Sequence, residues 1–241
     1  MSFDITYLRI KRVIGNDVEC FLCALEDETE SKYAETYLSE LVMDSSSRQK
    51  IIESRGFCNH HFYKMLTSAS KPASANSHGI ALVNKSITET LIQDLHKQKS
   101  HQISDINKLL ATETKCPACV HLSNFTEIHA KKIVELLSSD NEEFLNLLKK
   151  SKGFCMPHFV MLIHVVEKVM PIQSQKITKT LIDVEEKNLR RLNSELIEHI
   201  RKQSYEFSEK DRAAVTGIVM RSVKKIAGRR GIKNRNQGYK E

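Results

Sequence analysis

Six cysteines and two histidines of this 241-residue chain stand in four short pairs. Cys20 with Cys23 and Cys116 with Cys119 form Cys-x-x-Cys; Cys58 with His61 and Cys155 with His158 form Cys-x-x-His. Two soft donors three positions apart can chelate one ion from a single helical turn, and two such pairs complete a tetrahedron. Pro117 directly follows Cys116, and Pro157 lies between Cys155 and His158. Proline is tolerated in the first turn of a helix, so these pairs are expected at helix N-termini. Unpaired amides there stabilise thiolates and favour ligation. The leading and trailing pairs are separated by 34 and 35 residues. The simplest expectation is therefore one site closed within each stretch, with metal binding contributing to folding.

The two stretches are copies of one pattern. Cys20, Cys23, Gly56-Phe57-Cys58 and His61-Phe62 are matched by Cys116, Cys119, Gly153-Phe154-Cys155 and His158-Phe159, at offsets of 96 and 97 residues. Tyr37, Leu38 and Leu41 fall opposite Ile133, Val134 and Leu137, and a Ser/Asp cluster follows each. The repeat resolves one local ambiguity. His60 is matched by Pro157 and His61 by His158, which assigns the donor role to His61.

Other cysteine chemistry fits less well. Disulfides belong to oxidising compartments. A thioredoxin-like Cys-x-x-Cys needs a βαβ context, and covalent haem needs a histidine directly after the second cysteine, where Ala24 and Val120 stand. The expectation is two ions, zinc in closed structural sites, with iron–sulfur clusters at the same ligand sets as the alternative. Ligand type alone does not separate them.

The elements that must position these donors read as helices throughout. Eight Gly, four Pro and 6% aromatics argue against an all-β fold. Ala34, Tyr37, Leu38, Leu41 and Val42 keep a one-face helical period. Residues 48–54 and 142–150 read as short helices leading to each Gly-Phe-Cys, and 67–77 reads as a loop. Long helices are expected near 80–110 and 172–203, the second with Leu189, Leu192, Leu196 and Ile200 along one side. Ser208 and Asp211 would cap a last helix carrying Val215, Ile218, Val219 and Ile226. The predicted fold is all-α, a tandem duplication of a metal-clamped helical bundle packed into one body. Its divisions are a first repeat (1–110), a second repeat (111–206), a C-terminal helix (207–227) and a basic, disordered tail (228–241).

The net charge of +7 describes that C-terminal end. Residues 221–241 hold eight of the 37 basic residues and one of the 30 acidic ones, so residues 1–220 hold 29 of each. Lys224, Lys225, Arg229, Arg230, Lys233 and Arg235 can meet nucleic-acid phosphates, an acidic partner or a membrane surface. Tyr239 is the one aromatic there, so stacking on bases would be weak. Glu26, Asp27, Glu28 and Glu30 read as a solvated helix face. His129 reads as solvated and His164 as a core or interfacial residue. No apolar run approaches a membrane span, and residues 1–14 carry scattered charges without an apolar stretch. A cytoplasmic location is expected.

The paired Cys-x-x-Cys and Gly-Phe-Cys-x-x-His-Phe motifs resemble those of an uncharacterised prokaryotic family of cytoplasmic helical proteins with no assigned function. The resemblance covers Cys20 to about Ala227 and implies the helical fold and the four-ligand sets; it carries no activity. No phosphate-binding loop, HExxH or GxSxG motif is present. The leading reading is a non-catalytic metal-stabilised scaffold that binds a partner protein. An iron–sulfur protein in electron transfer or redox sensing, and a nucleic-acid-binding regulator using the tail, are the alternatives.

Overall fold

The computed structural model describes residues 4–69, 77–97, 103–110, 114–204, 206–210 and 217–229, with no strand among them. The helices are α1 (Ile5–Ile14), α2 (Phe21–Thr36), α3 (Ser45–Glu53), α4 (Asn59–Ala69), α5 (Ser77–Lys97), α6 (Ile103–Leu110), α7 (Pro117–Ser138), α8 (Glu142–Lys150), α9 (Met156–Val169), α10 (Ser174–Arg201) and α11 (Gly217–Ala227). A π-helical turn, Tyr37–Leu41, extends α2.

Local chemistry starts several of these helices where the sequence supplies a cap. Asp4, Asp44 and Asn141 accept hydrogen bonds from the Tyr7, Ser47 and Phe144 amides in the first turns of α1, α3 and α8. Helix α8 also carries Glu142 and Glu143 in its first turn and Lys149 and Lys150 in its last, complementing its dipole.

The chain forms two compact units. Unit 1 comprises residues 1–26 and 126–241; unit 2 comprises 27–125. Helix α2 gives Phe21 to Glu26 to unit 1 and its later turns to unit 2; α7 gives its first turns to unit 2 and the rest, from Thr126, to unit 1.

Unit 2 is built on a core of Tyr37, Leu38, Ile51, Phe57, Met65 and Val83. Phe57 meets Tyr37 and Phe62 edge-on, with ring centroids 5.2 and 5.7 Å apart. Helix α5 packs on α3, α4 and the π turn. Gly79 permits the last approach, because a Cβ there would stand 2.9 Å from the Leu38 carbonyl oxygen. In unit 1, α10 packs on α9 and α11, and α1 packs on α8. Phe21 and Phe154 meet at a tilt of 51° in its core, with ring centroids 4.8 Å apart.

Several helical expectations shift in register. Helix α4 runs through Ala69, into the stretch read as a loop, and residues 70–76 lie outside the described residues. The helix expected over 80–110 is α5 and α6, with 98–102 outside. On α10 the buried face is Ile177, Leu181, Val184, Glu185, Asn188 and Leu192, while Leu189 and Ile200 are exposed. On α11 it is Ile218, Ser222 and Lys225, with Val219 and Ile226 exposed and Val215 outside the described residues. Each face includes polar side chains with buried partners, Glu185 and Asn188 on α10 and Lys225 on α11, which an apolar period does not register.

Candidate metal centres

Each Cys pair begins a helix. The carbonyl oxygens of Cys20, Cys58, Cys116 and Cys155 accept the first intrahelical bonds, from Ala24, Phe62, Val120 and Phe159. The donors therefore lie in the first turn of α2, α4, α7 and α9, beside amides with no helical acceptor. Pro117 is the first residue of α7, and Pro157 lies in the first turn of α9.

The approach to α4 and α9 is fixed by the glycine of each Gly-Phe-Cys. Gly56 has φ +102° and Gly153 φ +71°, in the left-handed region. A Cβ on Gly56 would stand 2.5 Å from the Phe62 ring, and one on Gly153 would stand 2.7 Å from Glu185 Oε2.

Each cluster joins the Cys-x-x-Cys pair of one stretch to the Cys-x-x-His pair of the other. In unit 1, Cys20 and Cys23 at the start of α2 face Cys155 and His158 at the start of α9. His158 Nδ1 lies 3.4 Å from Cys20 Sγ, 3.4 Å from Cys23 Sγ and 3.2 Å from Cys155 Sγ, with Cys23 and Cys155 sulfurs 3.5 Å apart. In unit 2, Cys58 and His61 on α4 face Cys116 and Cys119 on α7. His61 Nδ1 lies 3.1 Å from Cys58 Sγ, 3.6 Å from Cys116 Sγ and 3.3 Å from Cys119 Sγ, with Cys58 and Cys119 sulfurs 3.7 Å apart. The expected closure of a 34- or 35-residue loop within each copy is thus replaced. The physical reason is that loop entropy grows only logarithmically, so the longer Cys23-to-Cys155 closure costs about 1 kcal/mol more, which helix packing readily offsets.

None of the six cysteines is in a disulfide. The clusters are instead networks of thiols and one imidazole. Hydrogen bonds to Cys116 and Cys119 hold the Cys58 thiol far below its ordinary value, and bonds to Cys116 and Cys58 drive Cys119 far above it. Cys20 and Cys23 divide in the same way: burial raises Cys20 but its bonds to Cys155 and Cys23 outweigh it, while Cys23 is raised by Cys155 and Cys20. Burial opposes protonation of His61, yet Cys116, Cys58 and Glu30 together raise it to about 11. His158 is raised against burial by Cys20, Cys155 and Glu26. Such a group holds protons that a divalent cation would displace. Three sulfurs and one imidazole nitrogen, all turned inward, can hold one ion in each unit.

Behind each histidine stands a buried carboxylate from α2. Glu30 Oε1 lies 3.1 Å from His61 Nε2 and 2.6 Å from His60 Nε2; Glu26 Oε1 lies 3.4 Å from His158 Nε2 and accepts a 2.5 Å bond from Thr126 Oγ1. These residues are 1% and 3% exposed, which corrects their reading as a solvated face. Their four-residue spacing on one helix turn was the available signal. His60 is occupied by Glu30, which leaves His61 facing the thiols. His129 is buried and His164 exposed, the reverse of expectation.

The basic candidates divide. Lys225 is fully buried, 2.7 Å from Glu185 Oε1, and donates to the Lys152 carbonyl. Glu185 in turn accepts the Phe154 amide, one residue before Cys155. Arg229 reaches Glu26 at 3.8 Å. Both therefore serve the interior of unit 1, because the carboxylates they meet are buried and need a counter-charge. Lys224 is exposed, and Arg230, Lys233 and Arg235 lie outside the described residues. Among the described residues no helix is long and apolar enough to cross a membrane.

No curated protein and no solved structure matches the chain. A family model described as "Family of unknown function (DUF6062)" matches residues 1–233, a span that includes all eight donors, and the chain belongs to that family.

Proposed function

We propose that the protein is a non-catalytic helical scaffold in which two zinc ions, one per unit, clamp helix N-termini together and a partner protein binds the resulting body. Donor spacing carries this reading. A single tetrahedral ion with bonds of about 2.3 Å to sulfur and about 2.0 Å to nitrogen spaces its ligands about 3.8 Å (S to S) and about 3.6 Å (S to N) apart. The closest donor separations run from 3.2 to 3.5 Å in unit 1 and from 3.1 to 3.7 Å in unit 2, and all donors of a cluster lie within 4.8 Å of one another. A multi-iron cluster attaches its thiolates to different irons and needs wider spacing, so the iron–sulfur alternative is less well supported. All four positions of each tetrahedron are supplied by the chain, leaving none for substrate, as in structural rather than catalytic zinc sites. The nucleic-acid alternative loses Lys225 and Arg229 to interior ion pairs.

Metal content per chain, measured with an absorption spectrum on protein purified without air, tests the proposal. About two zinc and a colourless solution are expected. Iron with matching sulfide and a brown solution would overturn it in favour of a redox protein.

A further inference from the structure

We infer that Glu26 and Glu30 are positioning residues for the two metal sites, each holding one histidine ring so that its Nδ1 faces the thiols, with a single helix supplying both carboxylates. The inference rests on the two-site reading above and deepens it. His61 and His158 turn the same nitrogen, Nδ1, toward three sulfurs at 3.1 to 3.6 Å. The opposite nitrogen of each faces a glutamate Oε1, at 3.1 Å from Glu30 and 3.4 Å from Glu26. A neutral imidazole carries one proton. Donating it from Nε2 to a carboxylate leaves the Nδ1 lone pair for a metal ion, fixes the tautomer and raises ligand basicity.

Helix α2 buries two acids four residues apart, Glu26 and Glu30, one beside each histidine. A buried carboxylate is costly unless partners compensate it, and both are compensated by groups that also orient them. Thr126 Oγ1 and Arg229 meet Glu26. His60 Nε2 and Lys64 Nζ meet Glu30, the latter at 3.6 Å. The Lys64 ammonium also argues against reading Glu30, His60 and His61 as a third cation site, since it stands where a cation's charge would be repelled. Glu30 Oε1 is shared with His60 Nε2 at 2.6 Å, and His61 Nε2 is within ion-pair distance of it at 3.1 Å without a hydrogen bond, so the His61 ring must turn slightly to donate to it.

The test uses full-length zinc-loaded protein. Zinc transfer to a coloured chelator is followed in wild type, Glu26→Gln and Glu30→Gln, each checked for helicity by circular dichroism. Each variant is expected to accelerate one of two release phases by roughly 10- to 100-fold and leave the other. Long-range nitrogen–proton correlation spectra of the wild type should show both imidazoles protonated at Nε2, with downfield Nε2 protons that move upfield in the matching variant. Folded variants with unchanged release and unchanged ring shifts would overturn the inference. So would acceleration of both phases alike without a ring shift, which marks a merely structural residue. The wild-type spectrum decides the case even where a variant does not fold: an Nε2-bound metal, or an unprotonated Nε2, overturns it, as do three ions per chain. Wild-type protein that holds no zinc would instead sink the two-site reading itself.

Discussion

The two centres carry the same four donors on the same kind of helix terminus, yet they differ in what surrounds them. In unit 1, Cys20 and Cys155 are buried. Gly228, at φ +78°, comes so close that a Cβ on it would stand 3.4 Å from Cys155 Sγ. The segment before Cys155 is tied down by α10 and α11: Glu185 takes the Phe154 amide, Lys225 takes the Lys152 carbonyl, and Asn188 donates to the Ser151 carbonyl. In unit 2, Cys58, Cys116 and Cys119 are only half-buried. The segment before Cys58 is held more locally, by Ser54 Oγ donating to the Gly56 carbonyl and by Phe57 in the core. Identical ligand types thus sit in a more buried setting in unit 1, where Cys23 and His158 are still half-buried, and a more open one in unit 2, where His61 is the buried donor, and the surroundings rather than the donors should govern stability and exchange.

The largest test of that contrast is removal of one thiolate from each site. Cys155→Ser and Cys58→Ser should each lose one zinc and part of a binding free energy on the order of 10 kcal/mol. The thermal transition should fall further for Cys155→Ser, because its site is drier and water substitutes less well for a lost ligand. Equal losses in calorimetry would erase the distinction.

Breaking the buried ion pair probes the sealing elements alone. Lys225→Met leaves Glu185 charged and unpaired and should cost about 3–5 kcal/mol in denaturant unfolding, with most of that recovered by adding Glu185→Leu. Zinc release should quicken at unit 1 only. A double variant no better than the single would show that Lys225 matters for reasons other than its charge partner.

Exchange should follow exposure. Under limiting iodoacetamide and chelator, half-buried Cys58, whose thiolate is favoured, should be alkylated roughly tenfold faster than buried Cys155, a difference of about 1.4 kcal/mol. Peptide mapping by mass spectrometry reads this directly, and uniform labelling would contradict the burial difference.

The smallest effect concerns the rim of unit 1. Burial pushes the Glu195 carboxyl up, but its hydrogen bonds with Arg191 and Arg221 outweigh it and hold the group below the usual carboxylate range. A depressed folded value means this stabilisation is present above about pH 4.3 and is lost as pH falls through the folded value. Arg221→Ala should therefore cost under about 1 kcal/mol at pH 7, and the cost should shrink as pH falls through the folded value of Glu195. A cost that persists in acid would trace to packing of the arginine stem instead.

Much of this molecule was legible before any coordinates. Donor identity is a matter of local chemistry: two soft ligands three apart on one helical turn are visible as Cys20 and Cys23 or Cys155 and His158 wherever the turn ends up. The helical class and the glycine before each Phe-Cys follow from equally local reasoning, and the choice of His61 over His60 from the match between the two motifs. Pairing did not. Cys23 lies 35 residues before Cys58, yet its sulfur meets that of Cys155, because the entropy separating a short closure from a long one is small and the packing of whole helices is not. The buried carboxylates and Lys225 were equally out of reach, since a charged residue looks solvated until the group that neutralises it is known. Residue types and short spacings determine which atoms can bind; only the fold determines which of them meet, and what keeps water away when they do.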